Sequence, residues 1–570
     1  MTGGNLGSGL RRGKGKNPPS REKDRDLSPG RVTIRTMLHG HSLIAGRHAT
    51  GGEPRFRAIS PLDRQPLPGE FATATETEVD EALRAAKETF VRFREAEGET
   101  RATFLETIAI EILALGDDLL DRAHQETGLT RERLESERAR TVGHLRMFAR
   151  TARENAWLDA RIETAQPDRK PFPKPDLRRV MQPIGPVVVF GASNFPLAYS
   201  VAGGDTASAL ATGNPVIVKA HEAHPGTSEL VGEAIVAAAR KTGLPAGVFS
   251  LLQGDGRTLG PWLAKHPATR AIGFTGSLAG GRALFDAAAS RPDPIPVFAE
   301  MGSLNPVIVL SGALRSRAEE IATTLAKSAT SGGGQFCTKP GVILAQDTDA
   351  LPAFRQSLER AFAAAAPATL LHAGIAANFD RAGTQLGANP TLRTLATSSK
   401  PADSNATEAS AWLAETTGEA FLAHRELRHE VFGPFALLVT IRSPDEIDAI
   451  LDAIGGQITA SVFGEDNELA ASATLVRRLG ESAGRVIVNG VPTGVEVGPA
   501  TQHGGPWPAS TDVRFTSVGT AALERFVRPV AYQNCPQALL PPALRDDNPL
   551  GIARLVDGLW TAGKALPLSG

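Results

Sequence analysis

The chain has 570 residues, enough for two to four domains of ordinary size and too many for one core. Its 41% hydrophobic and 22% charged content excludes a disordered or fibrous protein, and a net charge of -1 argues against nucleic acid as a partner. The two cysteines, Cys337 and Cys535, sit in unlike contexts, which argues against a disulfide and predicts a reducing, cytoplasmic setting.

Residues 1–36 carry nine Lys or Arg against three Asp or Glu, and no apolar block follows. They read as a disordered basic tail rather than a secretory signal, with Met37 an alternative start. Residues 41–67 hold short apolar groups between Gly and Pro, predicting an opening strand or hairpin. From Thr77 the spacing of Val79, Ala82, Leu83, Ala86, Phe90 and Phe93 predicts a helix, capped by Thr75 or Thr77. Helices continue over 101–161, with Phe104, Ile108, Ile112 and Leu119 or Leu120 on one stripe.

After a Pro-rich break at 167–175, the run 185–190 reads as a buried parallel strand. Runs at 216–219, 248–252 and 271–274, separated by Ala-rich helical segments, predict a doubly wound sheet. A second α/β series is expected from 296–299 through 307–310, 342–344, 436–440 and 486–488, followed by an edge strand at 514–518, a helix from Ala521 and a Pro-rich tail. The longest apolar run, 184–192, falls far short of the roughly 20 residues that span a bilayer, so no membrane segment is expected.

Three glycines precede Cys337 in SGGGQFC, residues 331–337, and free the backbone to wrap a thiol in a turn. Reactive nucleophile and inert core cysteine remain equal readings on spacing alone. Glu300 ends a strand beside glycine, as a partly desolvated base or as a solvated strand-end charge. Asn194 follows the strand 187–190 at the sheet's carboxyl edge, as an oxyanion donor or an Asx turn. The glycines at 254, 256 and 260 miss dinucleotide spacing by one residue, so Gly254 is a weak fingerprint. His221 and His224 lack a third ligand at zinc-like spacing and read as loop residues, so no metal is expected.

Six segments, GASNFP at 191–196, VIVK at 216–219, GFTGS at 273–277, EMG at 300–302, GQFC at 334–337 and EVFGP at 430–434, occur in an order that resembles the aldehyde dehydrogenase superfamily over residues 43–530. The resemblance implies an α/β aldehyde dehydrogenase fold: a Rossmann-like cofactor domain, an α/β catalytic domain and small oligomerisation strands. It makes Cys337 the nucleophile, Glu300 the general base, and Asn194 with the Cys337 amide the oxyanion hole. Lys219, Glu222, Gly254, Gly276, Ser277, Glu430 and Phe432 fall to the cofactor. The segments at 220–229, 502–510 and 548–552 resemble the branch of 2-oxoglutarate-semialdehyde (2,5-dioxovalerate) and NADP-using fatty-aldehyde dehydrogenases, placing His503 near the active site. That branch leans towards NADP, whereas Glu222 leans towards NAD through ribose hydroxyls, so NADP or NAD is expected, NADP slightly favoured and dual use left open.

The implied divisions are a tail at 1–36, a cofactor domain at 37–297 with an oligomerisation segment at about 157–180, a catalytic domain at 298–510, an oligomerisation segment at 511–535 and a tail at 536–570. A homodimer or homotetramer acting on a small aldehyde follows. The alternatives are a medium- or long-chain fatty aldehyde dehydrogenase, an acyl-transferring relative, which Glu300 opposes, and a catalytically silent binding protein.

Overall fold

β-Branched runs flanked by Ala-rich helices fold into three main sheets in the computed structural model, which describes residues 38–564. The expected basic tail at 1–36, with Met37 and 565–570, lies outside the described residues. The first sheet has the order Val297–Glu300, Ala271–Thr275, Val187–Phe190, Val216–Lys219, Phe249–Leu252, Leu43–Ile44 and Arg47–His48. Its first five strands are parallel. The strand order reverses at Val187–Phe190, and such a switch point opens a crevice at the carboxyl ends of the strands.

Alternation within these strands builds two cores. Val187, Val189, Val216 and Val218 pack with the helices Gly98–Ala114, Arg131–Glu154 and Pro225–Lys241. Val188 and Ile217 pack with Glu76–Phe93 and Gly256–Lys265. Both faces are covered, so the strands read as unbroken apolar runs. Thr75, rather than Thr77, caps Glu76–Phe93 by a capping box with Glu78. The apolar stripe of 104–120 is divided between Gly98–Ala114 and Gly116–Thr127 by the left-handed Gly116.

The second sheet has the order Arg393–Thr397, Trp412–Thr417, Phe435–Ile441, Val342–Gln346, Val307–Val309, Gln457–Phe463 and Ala483–Val488. It is parallel except at Arg393–Thr397. The third joins Val527–Gln533, Leu177–Pro183, Arg161–Glu163, Arg554–Val556 and Leu559–Thr561.

Three expectations are corrected. Val297–Glu300 pairs with Ala271–Thr275, so the first sheet extends past the division expected at 297/298. Residues 514–518 form a loop, and the neighbouring strand is Val527–Gln533. Residues 536–564 are no loose tail: Leu540, Leu544 and Ile552 are buried with Ile162 and Val180, and Arg554–Val556 pairs with Arg161–Glu163. Asp557 fastens this segment, accepting from Thr164 N at 2.9 Å, Thr164 Oγ1 at 2.6 Å and Lys174 Nζ at 3.3 Å. Asp557→Ala is expected to cost about 1–3 kcal/mol, read as a lower denaturation midpoint; an unchanged midpoint would contradict this. Among the described residues no helix is long and apolar enough to cross a membrane.

Candidate active site

The carboxyl ends of the first sheet open into a cavity of about 640 Å³ that reaches Cys337. Asn194 lies beyond Val187–Phe190, Lys219 ends its own strand, Gly276 and Ser277 follow Ala271–Thr275, and Glu300 ends the edge strand. Glu430 and Phe432 close the cavity from the second sheet's side. Of the cofactor residues expected from sequence, only Gly254 is missing from the lining; its positive φ brings it against Thr73, while Asp255 and Gly256 face the cavity.

Gly332, Gly333 and Gly334 all have φ near +60, and a side chain at Gly334 would collide with the Gly433 carbonyl. That backbone delivers Cys337 to the crevice. Asn305 holds the loop, donating through Nδ2 to the carbonyls of Cys337 at 2.8 Å and Lys339 at 3.0 Å. Asn194 Nδ2 donates to the Gln335 carbonyl at 3.0 Å, which ties the end of the first sheet to the cysteine loop.

His503 Nε2 stands 3.4 Å from Cys337 Sγ and 3.1 Å from Glu300 Oε1. Ser517 Oγ donates to the other Glu300 oxygen, and Thr516 Oγ1 accepts from His503 N at 2.9 Å. The loop expected as a strand thus orients both groups. Glu300 and His503 are buried, and the ligand atoms of Glu300, Cys337 and His503 lie within 4.8 Å of one another. The only other such group among the described residues is His39, His48 and Glu233. His224 instead bonds the Ala192 carbonyl at 2.9 Å and stacks on His221.

Burial raises the Glu300 carboxyl, but the His503 charge and hydrogen bonds from His503, Ser517 and Cys337 outweigh it and hold the group below its ordinary pKa. Burial, then the Glu300 charge, pushes the Cys337 thiol well above its ordinary value. Cys337 is therefore protonated at neutral pH in the cofactor-free site, and its thiolate fraction grows as pH rises. Alkylation by iodoacetamide is expected to accelerate by about tenfold per pH unit between pH 7 and 9; a plateau from pH 7 would contradict this.

The cavity fits a dinucleotide. The N-terminus of the helix Leu278–Ala289 opens into it behind Ser277, which spends its hydroxyl on the Gly280 amide at 3.2 Å. Gly256 leaves space beside the Lys219 ammonium, and Gly302 leaves space for the Glu430 carboxylate. Glu222 is ion-paired to Lys219, and although burial opposes it, Lys219 and His221 bring its pKa down to about 2.

A family model described as the aldehyde dehydrogenase family matches residues 48–369. The chain belongs to the aldehyde dehydrogenase family. Alpha-ketoglutaric semialdehyde dehydrogenase 2 of Azospirillum brasilense is 49% identical over 92% of this chain and 99% of its own length. Alpha-ketoglutaric semialdehyde dehydrogenase of Acinetobacter baylyi is 43% identical over the same shares. Betaine aldehyde dehydrogenase from Staphylococcus aureus, solved in complex with NAD+, superposes with a TM-score of 0.75 at 19% identity, over 88% of this chain and 96% of that one. This aldehyde dehydrogenase is thus an oxidoreductase acting on aldehydes, with the family's fold. Sequence reasoning left Asn305 and Ser517 without roles. Asn305 stood in the EMG segment's continuation, where a buried polar residue between strands was the available signal.

Proposed function

We propose that this aldehyde dehydrogenase oxidises 2-oxoglutarate semialdehyde to 2-oxoglutarate through a thioester on Cys337, with NADP or NAD as cofactor. The observation that carries the substrate is the 49% identity to the A. brasilense enzyme across nearly its whole length.

In its neutral form with Nε2 free of a proton, His503, 3.4 Å from Sγ, takes the thiol proton, and the thiolate adds to the aldehyde carbon. Asn194 Nδ2 and the Cys337 amide stabilise the oxygen anion that forms. Lys219, Glu222, Gly276, Ser277, Glu430 and Phe432 hold the dinucleotide, whose nicotinamide accepts the hydride when bound. Glu300 then removes a proton from water, the hydroxyl adds to the thioester carbonyl, and the C–S bond breaks to return the thiolate.

The Lys219–Glu222 pair leaves the ribose site near neutral, which supports use of both cofactors. Glu222→Gln removes a like charge from a 2'-phosphate and is expected to shift kcat/KM toward NADP by about tenfold; a shift toward NAD would contradict the assignment. Among the described residues the strand Val527–Gln533 has a partner on one side only, which supports assembly of a dimer or tetramer through that edge in a cytoplasmic enzyme. Steady-state rates on 2-oxoglutarate semialdehyde and on a medium-chain aldehyde test the substrate. Higher kcat/KM on the semialdehyde supports it, and preference for the unbranched aldehyde overturns it while keeping the chemistry.

A further inference from the structure

Lys339 stands two residues beyond Cys337, and its side chain is buried, with 1% of its surface exposed. Its Nζ donates to the Phe435 carbonyl at 2.8 Å and to the Val431 carbonyl at 3.1 Å. The sheet brings these segments together: Val342–Gln346 and Phe435–Ile441 are neighbouring parallel strands, so the stretches that lead into them, 337–341 and 430–434, enter from the same end. The ammonium therefore straps the turn that carries Glu430 and Phe432, both lining the cavity, onto the cysteine loop.

Glu430 closes the cavity at the end that Cys337 occupies: its charge acts on the thiol, and Gly302 leaves room for its carboxylate. A hydride acceptor has to lie beside Cys337, so the sugar within reach of Glu430 is the ribose that carries the nicotinamide. Burial raises the Glu430 carboxyl above its ordinary pKa, and Lys339, then the Ser303 amide, oppose the rise. Burial lowers the Lys339 ammonium, and the Glu430 charge opposes that in turn.

The two charges act on each other without a direct ion pair. Lys219 and Glu222 are directly paired, which occupies that carboxylate. Among the described residues Lys339 and Glu430 form no such pair: the ammonium directs its hydrogen bonds to backbone carbonyls, and the Glu430 oxygens stay available to the cavity. A neutral amide could bridge two carbonyls as well, and burying an ammonium is costly unless a nearby anion uses its charge. Of the groups at this end of the cavity, Cys337 is protonated and Glu300 is an anion bonded to His503, so Lys339 is the cation that acts on Glu430.

We propose that Lys339 is a positioning residue of the cofactor site: its ammonium, braced on the Val431 and Phe435 carbonyls, presents the Glu430 carboxylate as a charged acceptor for the hydroxyls of the nicotinamide ribose. This inference rests on the assignment of Glu430 to the cofactor in the reading above. Lys339 touches neither the substrate nor the dinucleotide, and it acts through the charge and the place of Glu430, since a hydrogen bond to a carboxylate is about twice as strong as one to a neutral acceptor.

NADH binding, followed by fluorescence titration between about pH 7 and pH 9, tests this in the wild type, Lys339→Gln, Glu430→Gln and the double variant. Lys339→Gln keeps N–H donors for the two carbonyls and removes the charge. Its dissociation constant for NADH is expected to rise about tenfold or more near pH 7, where the Glu430 carboxyl takes up a proton, and less than about threefold near pH 9, where the carboxylate is restored. Glu430→Gln is expected to weaken binding about tenfold at every pH, and adding Lys339→Gln to it should change nothing further. The pH course reports Glu430, because burial holds His221 and His372 below their ordinary range and Glu222 titrates at about 2. A loss in Lys339→Gln that is equal at all pH, or that persists in full in the double variant, would overturn the proposal in favour of a purely mechanical strap. An unchanged dissociation constant in Glu430→Gln would defeat the assignment of Glu430 to the cofactor and the role of Lys339 with it; a weakened Glu430→Gln beside an unaffected Lys339→Gln defeats the role of Lys339 alone. Lys339→Met, similar in length and uncharged, gives the same pH-dependent loss and decides the matter if Lys339→Gln does not fold.

Discussion

Cys337→Ala is expected to lower aldehyde-dependent reduction of NADP or NAD by about 10⁴-fold or more, since removing a nucleophile eliminates the covalent route. The geometry makes the loss selective. Cys337 is held by the three left-handed glycines and the Asn305 bond to its carbonyl, neither of which involves sulfur. Dinucleotide binding and the denaturation midpoint are therefore expected to stay close to wild type, measured by fluorescence titration and thermal melting. Cys535→Ala is the control: its Sγ lies 3.8 Å from the Pro536 carbonyl, in the segment around the third sheet, and its removal is expected to leave activity unchanged. Activity within tenfold of wild type in Cys337→Ala would contradict the assignment.

Glu300→Gln is expected to separate the two halves of the reaction. Glutamine keeps an acceptor for Ser517 Oγ and the shape of the buried side chain, but cannot take a proton from water. In the proposed mechanism hydride transfer needs His503 and the thiolate, and hydrolysis needs the carboxylate. Steady-state turnover should fall by about 10²–10⁴-fold, while a stopped-flow burst of reduced cofactor, near one per active site, persists. Loss of the burst along with turnover would place Glu300 in the first half instead.

The parallel strands at 187–190 and 216–219 were legible because both faces are apolar, and the glycines before Cys337 announced an unusual turn. Other elements were hidden by polar residues that find partners only in the fold. Trp412–Thr417 carries Glu415, whose charge is met by Arg355 at 2.7 Å and by Arg393. Gln457–Phe463 alternates polar residues that read as solvent-facing, yet Gln457 and Thr459 are buried against Ser303 and Asn305. Conversely, residues 514–518 read as an edge strand, whereas Phe515 stacks on Phe298 and the backbone beyond it bonds His503. Arg140 sits on a helix so rich in charge that it reads as solvated, yet its guanidinium lies over the Tyr199 ring, 5.7 Å from the centroid.

The central claim is a thioester on Cys337, and mass spectrometry of Glu300→Gln, quenched after mixing with 2-oxoglutarate semialdehyde and NADP, tests it most directly. A 2-oxoglutaryl adduct confined to the peptide bearing Cys337 is the expected result; an unmodified Cys337 during a full burst of reduced cofactor would contradict the covalent mechanism.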